Sequence, residues 1–123
     1  KYMAFPMIQF KATNTEMIGE LQDIMEMKLH SLEKYIGDET DLKCSVEFEK
    51  ITAQNSGKIF RVETNLSVGG KLYRAESTET TFEEAIDEVR NELDKEMRRS
   101  NKKHETMVKK GGRAIKDMLR FGK

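Results

Sequence analysis

Two stretches of strictly alternating apolar and polar residues constrain the fold of this chain more than any other feature. They cover residues 42–48 and 60–68. The positions on the apolar side are Leu42, Cys44, Val46 and Phe48 in the first stretch and Phe60, Val62, Thr64, Leu66 and Val68 in the second. Because successive side chains of a strand point to opposite faces, each stretch predicts a strand with one apolar and one polar face. Such strands are typical of a sheet that is covered on one side only.

Two further strands are predicted next to this pair. A Gly-Gly pair at 69–70 follows the second stretch directly, and two glycines supply the positive φ angles of a two-residue hairpin turn. We therefore expect a strand over 71–78, with Tyr73 and Ala75 facing inward. Residues 7–12 also alternate between apolar and polar side chains, which predicts a first strand near the start of the chain.

Two amphipathic helices are predicted from apolar residues that lie three and four positions apart. The first covers residues 18–36 and is followed by Gly37, the residue type that often comes after a helix C-terminus. The second begins at a Thr-x-x-Glu capping box after residue 79 and meets no helix breaker up to about residue 108. The apolar stripes are Ile18, Leu21, Met25, Leu29, Leu32 and Ile36, and then Phe82, Ala85, Ile86, Val89, Leu93 and Met97.

The order of these elements is β-α-β-β-β-α, and a chain of 123 residues is expected to form one domain. The prediction is an α+β fold of two layers, with a four-stranded sheet and two helices. We place an N-terminal extension at 1–6, the folded domain at 7–108 and a basic C-terminal tail at 109–123. Residues 113–121 of that tail have the spacing of a short helix. For the tail, an ordered RNA-binding extension and a disordered basic arm remain equally open.

The charges of the chain cancel in total but not in place. Residues 95–123 carry 11 Lys and Arg against three Asp and Glu, a net charge of +8, whereas residues 1–94 have a net charge of −8. A polyanion responds to the charge within a Debye length, roughly 10 Å, and not to a distant acidic region. The basic C-terminal quarter therefore indicates a contact with nucleic acid or another anionic surface.

The sequence offers few residues at the spacings that catalysis or metal binding requires. His30 and His104 have no Cys or carboxylate at the spacing of metal ligands, and no nucleophile motif occurs. Cys44, the only cysteine, lies at an inward strand position and is interpreted as a small core residue. A single cysteine cannot form an internal disulfide, which fits a reducing, cytoplasmic setting. No apolar run approaches about 18 residues, so no membrane contact is expected. We expect no enzyme activity, no cofactor and no small-molecule substrate.

Four short segments resemble the family of ribosome hibernation-promoting factors and ribosome-associated inhibitor A proteins, whose older label is sigma-54 modulation proteins. The end of the first helix, 28–35, reads Lys-Leu-His-Ser-Leu-Glu-Lys-Tyr, and the hairpin segment 70–76 reads Gly-Lys-Leu-Tyr-Arg-Ala-Glu. In the second helix, 81–87 reads Thr-Phe-Glu-Glu-Ala-Ile-Asp and 93–99 reads Leu-Asp-Lys-Glu-Met-Arg-Arg. Each segment is a weak signal alone, but the four occur in the family's order.

The resemblance implies a fold similar to double-stranded RNA-binding domains, with two helices on one face of a four-stranded sheet. It also implies a partner: the small ribosomal subunit and its rRNA, bound in the cleft between head and body, where messenger and tRNA sites are blocked. By matching positions, the RNA-binding residues would be Lys28, Lys34, Lys95, Arg98 and Arg99. Lys102 and Lys103 extend the same basic stripe by their place in the sequence.

The chain also departs from the family pattern. Ser31 and Glu92 stand where the family usually or often has lysine, which reduces the local positive charge. Beyond Lys103 the resemblance is poor, so ribosome dimerisation is not assigned. One alternative is a general double-stranded RNA-binding module without a ribosomal role. A second alternative is a protein-interaction module that regulates transcription, for which little RNA affinity is expected.

Overall fold

The computed structural model describes residues 5–109, with side chains described for residues 5–101. The elements are β1 (Ile8–Thr13), α1 (Gly19–His30), β2 (Leu42–Lys50), β3 (Phe60–Val68), β4 (Lys71–Glu79) and α2 (Phe82–Lys109). A 3-10 helical segment, Glu33–Tyr35, follows α1. The predicted α+β class and element order are confirmed. The short helix expected over 113–121 lies outside the described residues.

The four strands form one mixed sheet in the order β1-β2-β3-β4. β1 is parallel to β2, and α1 makes the crossover connection that parallel strands require. The other two pairings are antiparallel, and they place Val46 opposite Thr64 and Thr64 opposite Ala75. Gly69 and Gly70 connect β3 to β4 with φ angles of +57° and +89°, as predicted for a two-residue hairpin.

Both helices pack on the same face of the sheet and enclose a single core. The strands contribute alternate residues, because only one face of the sheet is covered. The buried core is Phe5, Leu21, Met25, Leu29, Leu32, Ile36, Cys44, Val46, Phe48, Val62, Leu66, Ala75, Phe82, Ala85, Ile86, Val89, Leu93 and Met97. At one end of the core, the Phe82 ring meets Phe48 and Phe60 edge-on, with centroids 5.4 and 4.9 Å apart. Thr64 is the one buried polar residue in the described part of the chain.

The first helix is shorter than predicted. α1 ends at His30, and the chain continues in turns that join residues three apart, including Leu32 N–H to Leu29 O at 2.9 Å. Ser31 causes the change locally, because its hydroxyl donates to Lys28 O and competes with the helical pattern. The apolar stripe survives the tighter winding, and Leu32 and Ile36 remain buried. Gly37 then ends the segment at a φ of +67°.

The second helix follows the prediction closely. The Thr81 hydroxyl accepts a hydrogen bond from Glu84 N–H at 3.1 Å, so Thr81 caps the helix as the Thr-x-x-Glu pattern predicts. The reciprocal half of a capping box is replaced, because the Glu84 carboxylate accepts from the Thr80 hydroxyl. All the apolar stripe residues predicted for this helix, from Phe82 to Met97, are buried. Past Met97 the helix continues to Lys109, roughly 18 Å at 1.5 Å per residue. Across the described chain, neither helix is both long and apolar enough to cross a bilayer.

Candidate nucleic-acid interface

A line of polar and charged side chains joins the two helices on the side away from the sheet. Lys28 Nζ lies 2.9 Å from Asp87 Oδ1, Arg90 Nε donates to Ser31 Oγ at 3.0 Å, and the Tyr35 hydroxyl donates to Asp94 Oδ1 at 2.7 Å. We call this line the interhelix surface, formed by Lys28, Ser31, Tyr35, Asp87, Arg90, Asp94 and Arg98. These three contacts fix the position of one helix relative to the other.

Asp94 lies at the centre of the interhelix surface. Its carboxylate accepts the Tyr35 hydrogen bond, lies 3.9 Å from Arg90 Nη2 and lies 3.5 Å from Arg98 Nη2. The hydrogen bond from Tyr35, followed by the two guanidinium groups, holds the pKa of Asp94 below its usual range. The same hydrogen bond raises the pKa of Tyr35. Asp94 is therefore ionised at neutral pH and orients two arginines toward solvent.

The two predicted basic residues before β2 occupy different settings. Lys28 is on α1, its side chain is 37% exposed, and it pairs with Asp87 across the interhelix surface. Lys34 is in the 3-10 segment, exposed, with its Nζ 5.3 Å from the centre of the Tyr35 ring. No carboxylate within the described residues forms an ion pair with Lys34. Lys28 is therefore neutralised by a carboxylate of α2, and Lys34 is exposed beside an aromatic ring.

The predicted RNA-binding residues of α2 lie on two neighbouring strips of the helix surface. Arg98 is one turn after Asp94, at 61% exposure, and continues the interhelix surface. Lys95 and Arg99 are also one turn apart from each other, and successive residues on a helix are about 100° apart. Lys95 and Arg99 therefore face further from α1 than Arg98 does. Arg99 is 65% exposed and lies 3.6 Å from Glu96.

Lys102 and Lys103 lie on the part of α2 that extends beyond the core. Their backbone is helical, and their side chains are outside the described part of the chain. The basic stripe predicted from the sequence thus begins on the packed part of the helix pair and continues along the extension. The tail residues from 110 onward are also outside the described residues.

Arg90 is a component of this surface that sequence reasoning missed. It stands between Glu88 and Glu92 in a stretch of α2 that is acidic overall, so counting charges along the sequence hides it. The fold brings it to Ser31, which is 59 residues earlier in the chain. A sequence signal did exist: Arg90, Asp94 and Arg98 are spaced four apart and share one face of a helix.

The opposite face of the sheet has a different electrostatic character. Glu47 is paired across the strands with Glu63, and Glu63 with Glu76, so three carboxylates form a row. Arg61 binds Glu49 at 2.8 Å and Glu76 at 3.0 Å and also pairs with Glu63, while Arg74 bridges Glu63 and Glu76. We call this group of six side chains the sheet network: Glu47, Glu49, Glu63, Glu76, Arg61 and Arg74, with a formal charge of −2. Lys11 and Lys43 lie on the same face of the sheet, outside this network.

The arginines of the sheet network lower the pKa of two of its carboxylates, Glu63 and Glu76. Hydrogen bonding to Arg61 lowers the pKa of Glu76. Burial acts to raise the pKa of Glu63, but hydrogen bonds from Asn65, Arg74 and Arg61 outweigh it and lower the pKa. Glu63 and Glu76 are therefore ionised at neutral pH, and the nucleic-acid contact is not expected at the sheet network.

The remaining chemical groups do not form a reactive site in the part of the chain that the structure describes. No three His, Cys, Asp or Glu side chains there come together as metal ligands. Burial raises the pKa of the Cys44 thiol to about 12, so the thiol is protonated at neutral pH. His30 packs against the Phe5 ring, with centroids 5.4 Å apart.

Comparisons with known proteins agree with this fold. A ribosome hibernation promotion factor from Deinococcus radiodurans is 28% identical over 91 residues, which cover 74% of this chain and 47% of that protein. The chain thus spans about half the length of this curated relative. The crystal structure of the Thermus thermophilus Protein Y N-terminal domain matches with a TM-score of 0.62 and 25% identity, covering 74% of this chain and 93% of that one.

A ribosomal subunit interface protein from Coxiella burnetii has the same fold at 15% identity, with a TM-score of 0.61, and the match covers 76% of this chain and 96% of that one. The family model described as sigma 54 modulation protein / S30EA ribosomal protein matches residues 8–105. This match covers every element from β1 through most of α2. The family resemblance predicted from the four sequence segments is confirmed, and the chain belongs to the sigma 54 modulation protein / S30EA ribosomal protein family.

Proposed function

We propose that this protein binds the small ribosomal subunit through its helix pair and keeps idle ribosomes from translating. In this proposal it occupies the cleft between the head and body of the subunit, where messenger and tRNA would otherwise bind. Family membership supports a ribosomal role, and the relative from Deinococcus radiodurans is named a ribosome hibernation promotion factor. The observation that carries the proposal is the group of basic side chains brought together where the end of the first helical region packs against residues 87–98 of α2.

The proposed mechanism is competition for a binding site, without a chemical step. Lys and Arg side chains displace counterions from rRNA phosphates, and each neutralised phosphate adds to the affinity. If about six phosphates are contacted, the affinity falls roughly a thousand-fold between 50 and 200 mM salt. Structured RNA is recognised largely by shape, phosphates and 2′-hydroxyl groups, which suits a rigid pair of helices.

The carboxylates of the interhelix surface assist this role by holding the basic groups in place. Asp87 pairs with Lys28, and Asp94 contacts Arg90 and Arg98. Arginine presents a planar fork of donors that matches a phosphate, and a fork already oriented loses less side-chain entropy on binding. The RNA-binding residues in the proposal are Lys28, Lys34, Lys95, Arg98 and Arg99, continued by Lys102 and Lys103.

A charge-reversal experiment tests the proposed surface. The variant with Lys95→Glu, Arg98→Glu and Arg99→Glu is expected to fold normally, because these side chains are exposed on α2. It is expected to lose binding to purified bacterial small subunits by at least about a hundred-fold, since three phosphate contacts become repulsive. Circular dichroism checks the fold, and sedimentation with subunits at near-physiological salt measures the binding.

A matched control carries the same change of charge on another part of the molecule. Lys43, Lys58 and Lys71 are exposed and lie on β2, the loop before β3 and the start of β4. Replacing all three with Glu should leave subunit binding within a few-fold of the wild type. Equal losses in both variants would show that only net charge matters, and unchanged binding in the α2 variant would overturn the proposed surface.

A further inference from the structure

We propose that Arg90 is a phosphate-binding residue of the interhelix surface, positioned by Ser31. This inference rests on the proposed function, because the phosphate belongs to the rRNA. It adds a residue to the surface that neither the charge pattern nor the matched sequence segments identified. Four observations on the interhelix surface support it.

The first observation is the position of the Arg90 side chain. Its Nε donates to Ser31 Oγ at 3.0 Å, so the guanidinium lies against the residue that ends α1. A guanidinium from α2 therefore lies directly against the C-terminal end of α1.

The second observation is that Ser31 has no proton left for a ligand. A serine hydroxyl has one O–H, and that of Ser31 donates to Lys28 O, while its oxygen accepts from Arg90. Ser31 is therefore a positioning residue, which directs Arg90 and does not itself donate to phosphate. The Arg90 side chain is held at 24% exposure by this contact and by Asp94 on the next turn.

The third observation is the donor capacity that remains. A guanidinium has five N–H groups, and Arg90 uses one with Ser31 and one with Asn91 Oδ1 at 3.3 Å. The contact with Asp94 Oδ1, at 3.9 Å, is an ion pair longer than a hydrogen bond. Donors therefore remain for two oxygens of one phosphate, which lysine cannot bind in the same bidentate way.

The fourth observation is the surrounding charge. Lys28 is one turn before Ser31, and Arg98 is two turns after Arg90. The carboxylates facing them are Asp87, paired with Lys28, and Asp94, shared by Arg90 and Arg98. Three cations against two carboxylates leave the site with a net positive charge, to which the exposed Lys34 adds. A phosphate at this point meets cations from both helices at once.

The test first removes the positive charge of Arg90 and then introduces a positive charge at position 31. Arg90→Gln is expected to weaken binding to purified small subunits about three- to ten-fold. It should also reduce the slope of log affinity against log salt by about 1, the value for one lost phosphate contact. Arg74→Gln, which removes an arginine from the sheet network, is the matched control and should leave the slope unchanged.

Restoring the charge from the first helical region completes the test. Ser31→Lys combined with Arg90→Gln should return both the affinity and the salt slope to nearly wild-type values, because the cation reaches the same phosphate from the other side. Ser31→Ala should weaken binding two- to three-fold, with the slope retained, and Ser31→Thr should restore it by keeping the hydroxyl. A merely structural role would move the unfolding midpoint without moving the slope.

The outcomes separate this inference from the proposed function. An unchanged salt slope in Arg90→Gln, with wild-type protein binding normally, would overturn the role of Arg90 alone. The same is true if Ser31→Lys fails to rescue the affinity of a folded Arg90→Gln protein. Absence of binding by the wild-type protein would overturn both.

Discussion

Thr64 is buried, as the alternation of apolar and polar residues predicts, but burial is unfavourable for its hydroxyl group. It occupies an apolar position of β3 and is fully buried, and its Oγ1 has no hydrogen-bond partner among the described residues. Such a group loses its hydrogen bonds to water without replacement. The alternation predicts that position 64 faces the core, but it does not show whether the hydroxyl finds a partner there.

We predict that Thr64→Val stabilises the protein by about 1 kcal/mol, because valine has the same shape without the unpaired hydroxyl. Chemical denaturation with urea at neutral pH measures the free energy of unfolding. Thr64→Ala is the control, and it should destabilise the protein because it leaves a cavity. A Val variant less stable than wild type would mean that the hydroxyl has a partner in solution.

Residue-scale properties of the interhelix surface could not be derived from the sequence. Asp94 looks like an ordinary acidic residue of an amphipathic helix, yet it receives Tyr35 from 59 positions earlier. The same holds for Arg90, whose partner Ser31 depends on how α1 and α2 pack. Helix spacing predicts which residues share a face, but the partner on a second helix depends on tertiary structure.

At the scale of elements, the faces of β2 and β3 followed from alternation, and the start of β4 followed from the Gly-Gly turn. The inward and outward faces of β2 and β3, the Gly69–Gly70 hairpin and the inward position of Ala75 all agree with the prediction. The end of α1 did not agree, because the apolar spacing of an α-helix continues through residues that are wound as a 3-10 segment. Burial periodicity cannot distinguish these two windings over a single turn.

The start of α2 permits a prediction with a built-in control. Thr81 caps the helix backbone, whereas the neighbouring Thr80 hydroxyl contacts only the Glu84 side chain. Thr81→Ala should therefore lower the free energy of unfolding by about 1 kcal/mol, the usual cost of a lost N-cap. Thr80→Ala should have a clearly smaller effect. Thermal and urea denaturation of the two variants measure these changes in the free energy of unfolding. Equal changes in the two variants would contradict the assignment of Thr81 as the N-cap.

At the scale of the whole molecule, the fold determines which basic side chains lie together. The excess positive charge of the sequence lies in the last quarter of the chain, but charge at a sequence position has no direction by itself. The structure gives it one, because α2 packs on the face opposite the sheet network. Arg98 and Arg99, with Lys28 and Arg90 from regions of the sequence that are acidic overall, then share one side.

In the proposed function, this arrangement would let a chain with no net charge bind a polyanion. Surface charges interact over about a Debye length, so the sheet network on the far side would weaken the attraction only slightly at physiological salt. The carboxylates of the sheet network would also favour one orientation on the RNA, because the opposite orientation would place them against phosphates. A general duplex-binding module needs only the attraction to a polyanion. A factor with one ribosomal site also needs the preferred orientation.

The most direct test of the central claim is co-sedimentation of the full chain with purified small subunits, large subunits and a generic RNA duplex. Near-physiological salt and a range of protein concentrations give the stoichiometry. The account predicts saturable one-to-one binding to small subunits, displaced by tRNA and messenger, with much weaker binding to the other two. Equal binding to all three would contradict it and indicate a nonspecific RNA-binding module, and no binding to any of them would favour a protein partner.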